Sequence, residues 1–369
     1  GTSGFSKGVM IPYRALCSNI QFAKHVLPEL NDRSNVVSML PSAHMYGMMF
    51  EFLFEMSIGM HVHFLTRTPS PKIIMQAFEE IKPNIIIAVP LIIEKVYKSK
   101  IQKMVEKGGL KTLLKVPVID KVIQKKIRTE LVNAFGNQFI EVIMGGAAFN
   151  KDIENFFWKI GFPYTVGYGM TECAPIITYA RFDDKRLYSC GKAALNMQIR
   201  IDSEDPQRIE GEIQVSGPNV ALGYFKNPQA TADLFTEDGW LRTGDMGIID
   251  AEGYLYIRGR SKCMILGPNG QNIYPEEIEA VFNAEAYIVD SLVIEDNSGL
   301  TALIYPDYHQ GELDGLDRPA LEKAIAELLP TINKEIPTYA QVRKIEFMPE
   351  DFERTPKRSI KRYLYQRSK

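Results

Sequence analysis

From Pro12 to about Tyr168, amphipathic stretches of helical length alternate with short apolar runs bounded by Pro or Gly. That is the pattern of a parallel sheet flanked by helices. The apolar runs predict strands near 36–40, 60–65, 84–89, 139–144 and 164–166. Helices are expected over about 13–30, 46–57, 71–81, 91–106, 120–135 and 150–160, with Pro71 and Asp120 suited to a first turn. The piece 107–117 reads as a loop.

After Thr171 the apolar runs shorten to 198–201, 212–216, 246–249 and 254–258, separated by Gly, Pro, Asn and Asp turns. This predicts an antiparallel barrel or sandwich. From about Arg260 a short run at Ile265 and Leu266, a Gly-Pro-Asn-Gly turn at 267–270, a helix from Pro275, strands near 291–294 and 301–305 and a helix over 318–329 predict a small α+β domain. The expected fold is therefore α/β: a parallel sheet flanked by helices over residues 1–180, a β-barrel-like subdomain over 181–259, and an α+β C-terminal domain over 260–369.

The 369 residues are 45% hydrophobic and 24% charged, which excludes disorder and collagen-like structure. Lys and Arg number 43 against 45 Asp and Glu, so no whole-chain field draws the protein to nucleic acid, and a polyanion needs a local site. Cys17, Cys173, Cys190 and Cys263 form no C-x-x-C pair, which fits a reducing compartment; a cytoplasmic location is expected. No apolar stretch reaches the roughly 20 residues of a membrane helix, and peripheral membrane contact stays open. His61 and His63 would share one face of a strand, but two ligands do not make a zinc site.

Candidate chemistry sits in turns. Gly1-Thr2-Ser3-Gly4-Phe5-Ser6-Lys7-Gly8 combines small residues, hydroxyls and a Lys, which suits a polyphosphate, although its spacing is not that of the common phosphate loop. Gly145-Gly146-Ala147-Ala148 and Tyr168-Gly169-Met170-Thr171-Glu172 each follow a predicted parallel strand, where ligands bind in open α/β sheets. Asp245, in Thr243-Gly244-Asp245, supplies an acceptor suited to ribose hydroxyls, and Arg260 a fixed guanidinium.

Taken in order, these segments resemble the adenylate-forming superfamily of acyl-CoA synthetases, luciferases and adenylation domains. The tract 1–8 resembles the second part of its S-[ST]-G-[ST]-[ST]-G-x-x-K-G loop, and Tyr168 to Glu172 its Y-G-x-T-E. Gly211-Glu212-Ile213 with Gly223-Tyr224, Trp240-Leu241-Arg242-Thr243-Gly244-Asp245, Gly259-Arg260-Ser261-Lys262 and Gly270-Gln271-Asn272-Ile273-Tyr274-Pro275-Glu276 continue the series. Pro41-Ser42-Ala43-His44-Met45-Tyr46-Gly47 looks closest to the long-chain fatty acyl-CoA synthetases.

The resemblance implies an AMP-forming fatty acid–CoA ligase using ATP, Mg²⁺ and CoA; a carrier-protein acceptor and a degenerate, non-enzymatic nucleotide-binding module are the alternatives. It implies that Thr2, Ser3, Gly4 and Lys7 hold the β- and γ-phosphates, that Glu172 binds Mg²⁺ and that Thr171 contacts the α-phosphate. By the same resemblance Tyr168 stacks on adenine in a segment shared with Gly169 and Met170, and Gly146 and Ala147 line the base pocket. Asp245 and Arg260 take the ribose, His44 lies at the mouth of the acyl pocket, and Lys262 is the hinge of a mobile C-terminal domain. Where long-chain members carry T-P-x-x-K-I-x-R, Thr355-Pro356-Lys357-Arg358-Ser359-Ile360-Lys361-Arg362 puts Ser359 at the catalytic lysine position, with Lys361 the other candidate. Members also carry about a domain's worth of chain ahead of the phosphate loop. The sequence thus reads as a fragment, with exposed apolar patches, weak or absent ATP binding and self-association expected.

Overall fold

The computed structural model describes residues 7–66, 69–97, 117–267, 271–297, 299–354 and 360–367. The chain divides into two compact units, Gly8–Thr243 with Gly247–Ile257, and Arg258–Lys369 with Gly244–Met246 and Lys7.

In the larger unit, helix α1 (Tyr13–Val26) leads into strand β1 (Asn35–Ser38). The helix ends four residues before the expected Leu30 because Pro28 disfavours helical backbone at Leu27, which turns to φ −125° and ψ 55°. The single helix expected over 46–57 is α2 (Met45–Met48), a π-helical turn (Met49–Leu53) and α3 (Phe54–Ile58), stopped by Gly59 at φ +79°. Then follow β2 (His61–Phe64), α4 (Pro71–Ile81), β3 (Ile86–Ala88) and α5 (Pro90–Tyr97). The Ser70 side chain caps α4 by accepting from Ile73 N–H, with Pro71 in the first turn.

Residues 98–116, holding the end of the helix expected over 91–106 and nearly all of the loop 107–117, lie outside the described residues. The helix expected from Asp120 begins three residues earlier, as α6 (Pro117–Ala134), with Pro a favoured first residue. It is followed by β4 (Val142–Met144), α7 (Lys151–Lys159), capped by Asn150, and β5 (Tyr164–Val166). β1 and β2 pair in parallel, as do β3-β4-β5, and one parallel bridge from Val36 to Ile85 joins them in the order β2-β1-β3-β4-β5. The two-residue alternation of strands sends Val36, Ile85 and Ile87 into one apolar cluster and Val37, Ile86 and Ala88 into another. The second cluster is aromatic-rich, with Phe157 and Phe162 centroids 4.7 Å apart. At the β2 edge Phe52, Met56 and Phe64 are exposed.

The expected β-barrel is absent among the described residues. Strands β6 (Tyr168–Gly169), β7 (Ile176–Tyr179) and β8 (Lys192–Ala193) form one open sheet, and β9 (Gln198–Asp202), β10 (Gly211–Ser216), β11 (Leu241–Ile249) and β12 (Leu255–Arg260) another, in the order β12-β11-β10-β9. Ile177, Ile201, Ile213, Val215, Leu241 and Leu255 share one core. Two open sheets packed on a common core satisfy the same alternation that a closed barrel would.

In the smaller unit a hairpin of β13 (Ile265–Leu266) and β14 (Asn272–Ile273) precedes α8 (Pro275–Ala284). β15 (Ile288–Asp296) and β16 (Gly299–Pro306) are antiparallel, and β17 (Lys344–Phe347), which the sequence pattern did not suggest, lies parallel to β16. The helix expected over 318–329 ends at Glu327, and a second runs Leu329–Glu335 with Pro330 in its first turn.

Candidate functional site

The strand order reverses direction between β1 and β3, and in open parallel sheets a crevice forms outside the carboxyl ends at such a point. Segments 39–47, 145–148 and 167–172 leave the carboxyl ends of β1, β4 and β5. Gly146, Ala147 and Ala148 are exposed, and Gly146 has φ +85°, which favours glycine. Gly145 lies against the Tyr46 ring, where a Cβ would come within 3.3 Å, and Tyr46 Oη donates to Ile143 O at 3.0 Å. His44, half-buried and extended, immediately precedes α2.

On the Tyr168 to Glu172 segment, Tyr168 is buried, and a Cβ at Gly169 would fall 2.2 Å from Pro175 O. Met170 is extended, and Thr171 opens a 3₁₀ turn with Glu172. Tyr224 Oη donates to Glu172 Oε1 at 2.7 Å, and Ala221 N–H to Glu172 O at 2.8 Å. Burial, then Glu172, raises the Tyr224 pKa, so this hydroxyl stays a donor. Residues 222–225 pair with 8–10: Phe225 N–H donates to Gly8 O at 2.7 Å, and Met10 N–H to Gly223 O at 2.9 Å. The exit of the tract 1–8 thus lies on the ladder that carries the partner of Glu172. Lys7 is exposed, and the expected Thr2, Ser3 and Gly4 lie outside the described residues.

In the smaller unit Asp245 is buried, and Arg260 Nε lies 3.0 Å from its Oδ1. Ser261 donates through N–H and Oγ to Gly244 O at 3.0 and 3.1 Å, and Lys262 is exposed in the turn that follows. Lys361 Nζ lies 3.0 Å from Glu353 Oε2, and its N–H donates to Glu353 O at 2.8 Å. Arg362 is hydrogen-bonded to Glu279 and lies 3.8 Å from Glu276. Burial raises the Glu279 carboxyl to about 7, with Arg362 opposing the shift. Ser359 lies outside the described residues. His63 Nε2 sits 2.9 Å from Asn35 Oδ1, and no group of three metal-ligating side chains occurs among the described residues.

Residues 1–225 match the family described as AMP-binding enzymes, and 263–367 match the C-terminal domain of such enzymes. The chain belongs to the AMP-binding enzyme family.

Among relatives of this AMP-binding enzyme, the long-chain-fatty-acid–CoA ligase FadD15 of Mycobacterium bovis is 26% identical over 98% of the chain and 65% of its own length. Of solved structures, ATP-bound MatB from Rhodopseudomonas palustris is 24% identical with a TM-score of 0.74, covering 99% of this chain and 66% of that one. The o-succinylbenzoate CoA synthetase MenE of Bacillus subtilis with its acyl-adenylate intermediate is 22% identical with a TM-score of 0.77, covering 100% and 68%. The chain spans about two thirds of the length of these proteins, and the structural likeness is one of fold.

Three residues of the arrangement carried no role in the sequence reading. Tyr224 was visible as part of a motif, whereas Tyr46 and Glu353 acquire meaning from contacts across 97 and 8 residues.

Proposed function

We propose that the chain carries out the chemistry of an AMP-forming acid–CoA ligase acting on long-chain fatty acids. The observation behind this is the meeting of Glu172, Tyr224 and the exit of the 1–8 tract on one ladder, in a chain whose residues 1–225 match AMP-binding enzymes. The acid is taken from relatives such as FadD15 and from the Pro41-Ser42-Ala43-His44 segment. An acyl carrier protein is the alternative acceptor.

In the first half-reaction a carboxylate oxygen bonds to the α-phosphorus of ATP as the bond to pyrophosphate breaks. In the second the CoA thiol, losing its proton, bonds to the acyl carbon and AMP departs. Such transfers depend on positioning and charge neutralisation. Thr2, Ser3, Gly4 and Lys7 hold the β- and γ-phosphates, and Thr171 the α-phosphate. Tyr168, in a segment shared with Gly169 and Met170, stacks on the base, and the backbone around Gly146 and Ala147 lines the base pocket. Asp245 and Arg260, held together as a pair, face the ribose, and His44 borders the acyl pocket.

Glu172 fits Mg²⁺. It is a single carboxylate with one oxygen engaged by Tyr224 and, among the described residues, no metal-ligating cluster around it, the sparse donor set of a cation that keeps waters and phosphates as its remaining ligands. When bound, Mg²⁺ would neutralise phosphate charge. Ser359 or Lys361 takes the role of the catalytic lysine, and Lys262 that of the hinge.

The test is palmitate-dependent exchange of pyrophosphate into ATP, followed by the mass of the product with CoA. Palmitoyl-CoA with equimolar AMP is expected. Exchange that does not depend on any acid overturns the ligase reading, and product on a carrier protein but not on CoA overturns the acceptor.

A further inference from the structure

One helical segment fastens the carboxyl ends of two strands that are not neighbours. At one end Glu51, in the π-helical turn, accepts from Ser38 Oγ at 3.2 Å, Met39 N–H at 3.2 Å and Leu40 N–H at 2.9 Å, where the chain leaves β1. Five residues earlier Tyr46 donates to Ile143 O in β4 and lays its ring on Gly145. Strand β3 lies between the two, and β1 meets it through a single bridge. His44 sits on the β1 side of this bracket, and Gly146 and Ala147 on the β4 side. π-helical turns inside helices recur at functional sites.

We propose that Tyr46 is a positioning residue that transmits acid-site occupancy to the base-binding loop, so that acid and nucleotide bind with positive coupling. This rests on the function proposed above. Burial, with Glu51 and Glu141 adding to it, raises the phenol pKa, so Tyr46 acts only as a donor toward Ile143 O. Gly145, with no Cβ, lets the ring approach the loop closely, and any shift of α2 therefore moves the loop rather than being absorbed by a flexible contact. The bracket is the physical link through which the two sites would bias one another, and the coupling itself is what the experiment measures.

The test compares the parent chain with Tyr46→Phe, which keeps the ring and removes only the hydroxyl. AMP affinity is measured by calorimetry with and without palmitate, a pair that does not react because AMP carries no pyrophosphate leaving group. The parent is expected to bind AMP about fivefold or more tighter with palmitate present, and Tyr46→Phe to lose most of that factor while its unfolding midpoint falls by only a few degrees, the size of one lost hydrogen bond. In turnover the variant should show a raised KM for ATP at little-changed kcat. Amide exchange over 143–148 is expected to speed up by about fivefold, the order of one lost hydrogen bond. Unchanged exchange in the variant overturns the tether whether or not AMP binds. AMP binding that ignores palmitate in the parent, or equal coupling in the two proteins, overturns the transmission, and failure of the parent to bind AMP at all overturns the functional reading with it.

Discussion

Glu55, on α3, is fully buried, and neither carboxylate oxygen has a hydrogen-bond partner among the described residues. Burial raises its pKa from 4.5 to about 8; its own backbone amide offsets this in part without reaching hydrogen-bond geometry, and Glu51 adds to the rise. The folded chain therefore keeps a proton that the unfolded chain releases above about pH 4.5. Its contribution to stability is whole below that pH and is lost progressively toward pH 8. At 1.36 kcal/mol per unit, the loss is on the order of 4 kcal/mol at pH 8.5. Glu55→Gln is neutral at every pH and of nearly the same shape, so it should avoid that loss. Its amide leaves polar atoms unpartnered as the protonated acid does, so the diagnostic is the dependence on pH rather than the absolute stability. Urea unfolding followed by far-ultraviolet circular dichroism at pH 5, 6.5, 8 and 9 should show the variant gaining on the parent at each step, by a few kcal/mol in total. A difference that stays flat within about 0.5 kcal/mol across this range would refute the assignment of a buried, protonated Glu55.

Other perturbations test the smaller unit. Arg362→Gln leaves Glu279 buried beside no guanidinium and should cost about 2–4 kcal/mol, discounted from the usual value for a broken buried pair because Arg362 is partly exposed. Adding Glu279→Gln should recover most of it by calorimetry, and no recovery would contradict the pairing. Ser359→Lys should raise acyl-AMP formation about tenfold or more, without changing thioester formation from preformed acyl-AMP; an inert Ser359→Lys together with Lys361→Ala abolishing adenylation would assign the role to Lys361. Lys262→Pro should spare acyl-AMP formation and impair thioester formation, and equal loss of both halves in single-turnover assays would remove Lys262 as the hinge.

The parallel sheet was legible because its strands are buried on both faces and read as short apolar runs, as at Ile85-Ile86-Ile87. Helix ends were legible where Pro or a cap marks them, as at Pro71, and were misplaced where Pro28 acts one residue upstream of itself. Strand β17 escaped because its half-buried face belongs to a parallel pairing with β16 that closes only after about forty intervening residues. The barrel expectation failed because alternation records that a strand has an inner face, not whether its sheet closes. At the site, the motif order pointed to the segments, but the bonds that give Tyr224 and Tyr46 their parts cross 52 and 97 residues, and those of Glu51 cross 11 to 13, beyond the reach of helix or strand periodicity.

The bridge from Val36 to Ile85 bears on how the molecule loosens. Main-chain pairing between β1 and β3 is thin, helped at the amino ends by Asn84 N–H donating to Asn35 O and Asn35 N–H to the Asn84 side chain. Beyond it, toward the carboxyl ends, cohesion across this line comes from side chains: the Glu51 and Tyr46 fastenings and the apolar clusters on each face. Such a line is where a sub-global opening would run, with β1, β2 and the helices on them departing as one block while β3-β4-β5 stay paired. Ligand seated in the crevice above that line would act as a stitch, slowing amide exchange in β1 and β2 while leaving β3-β4-β5 little changed.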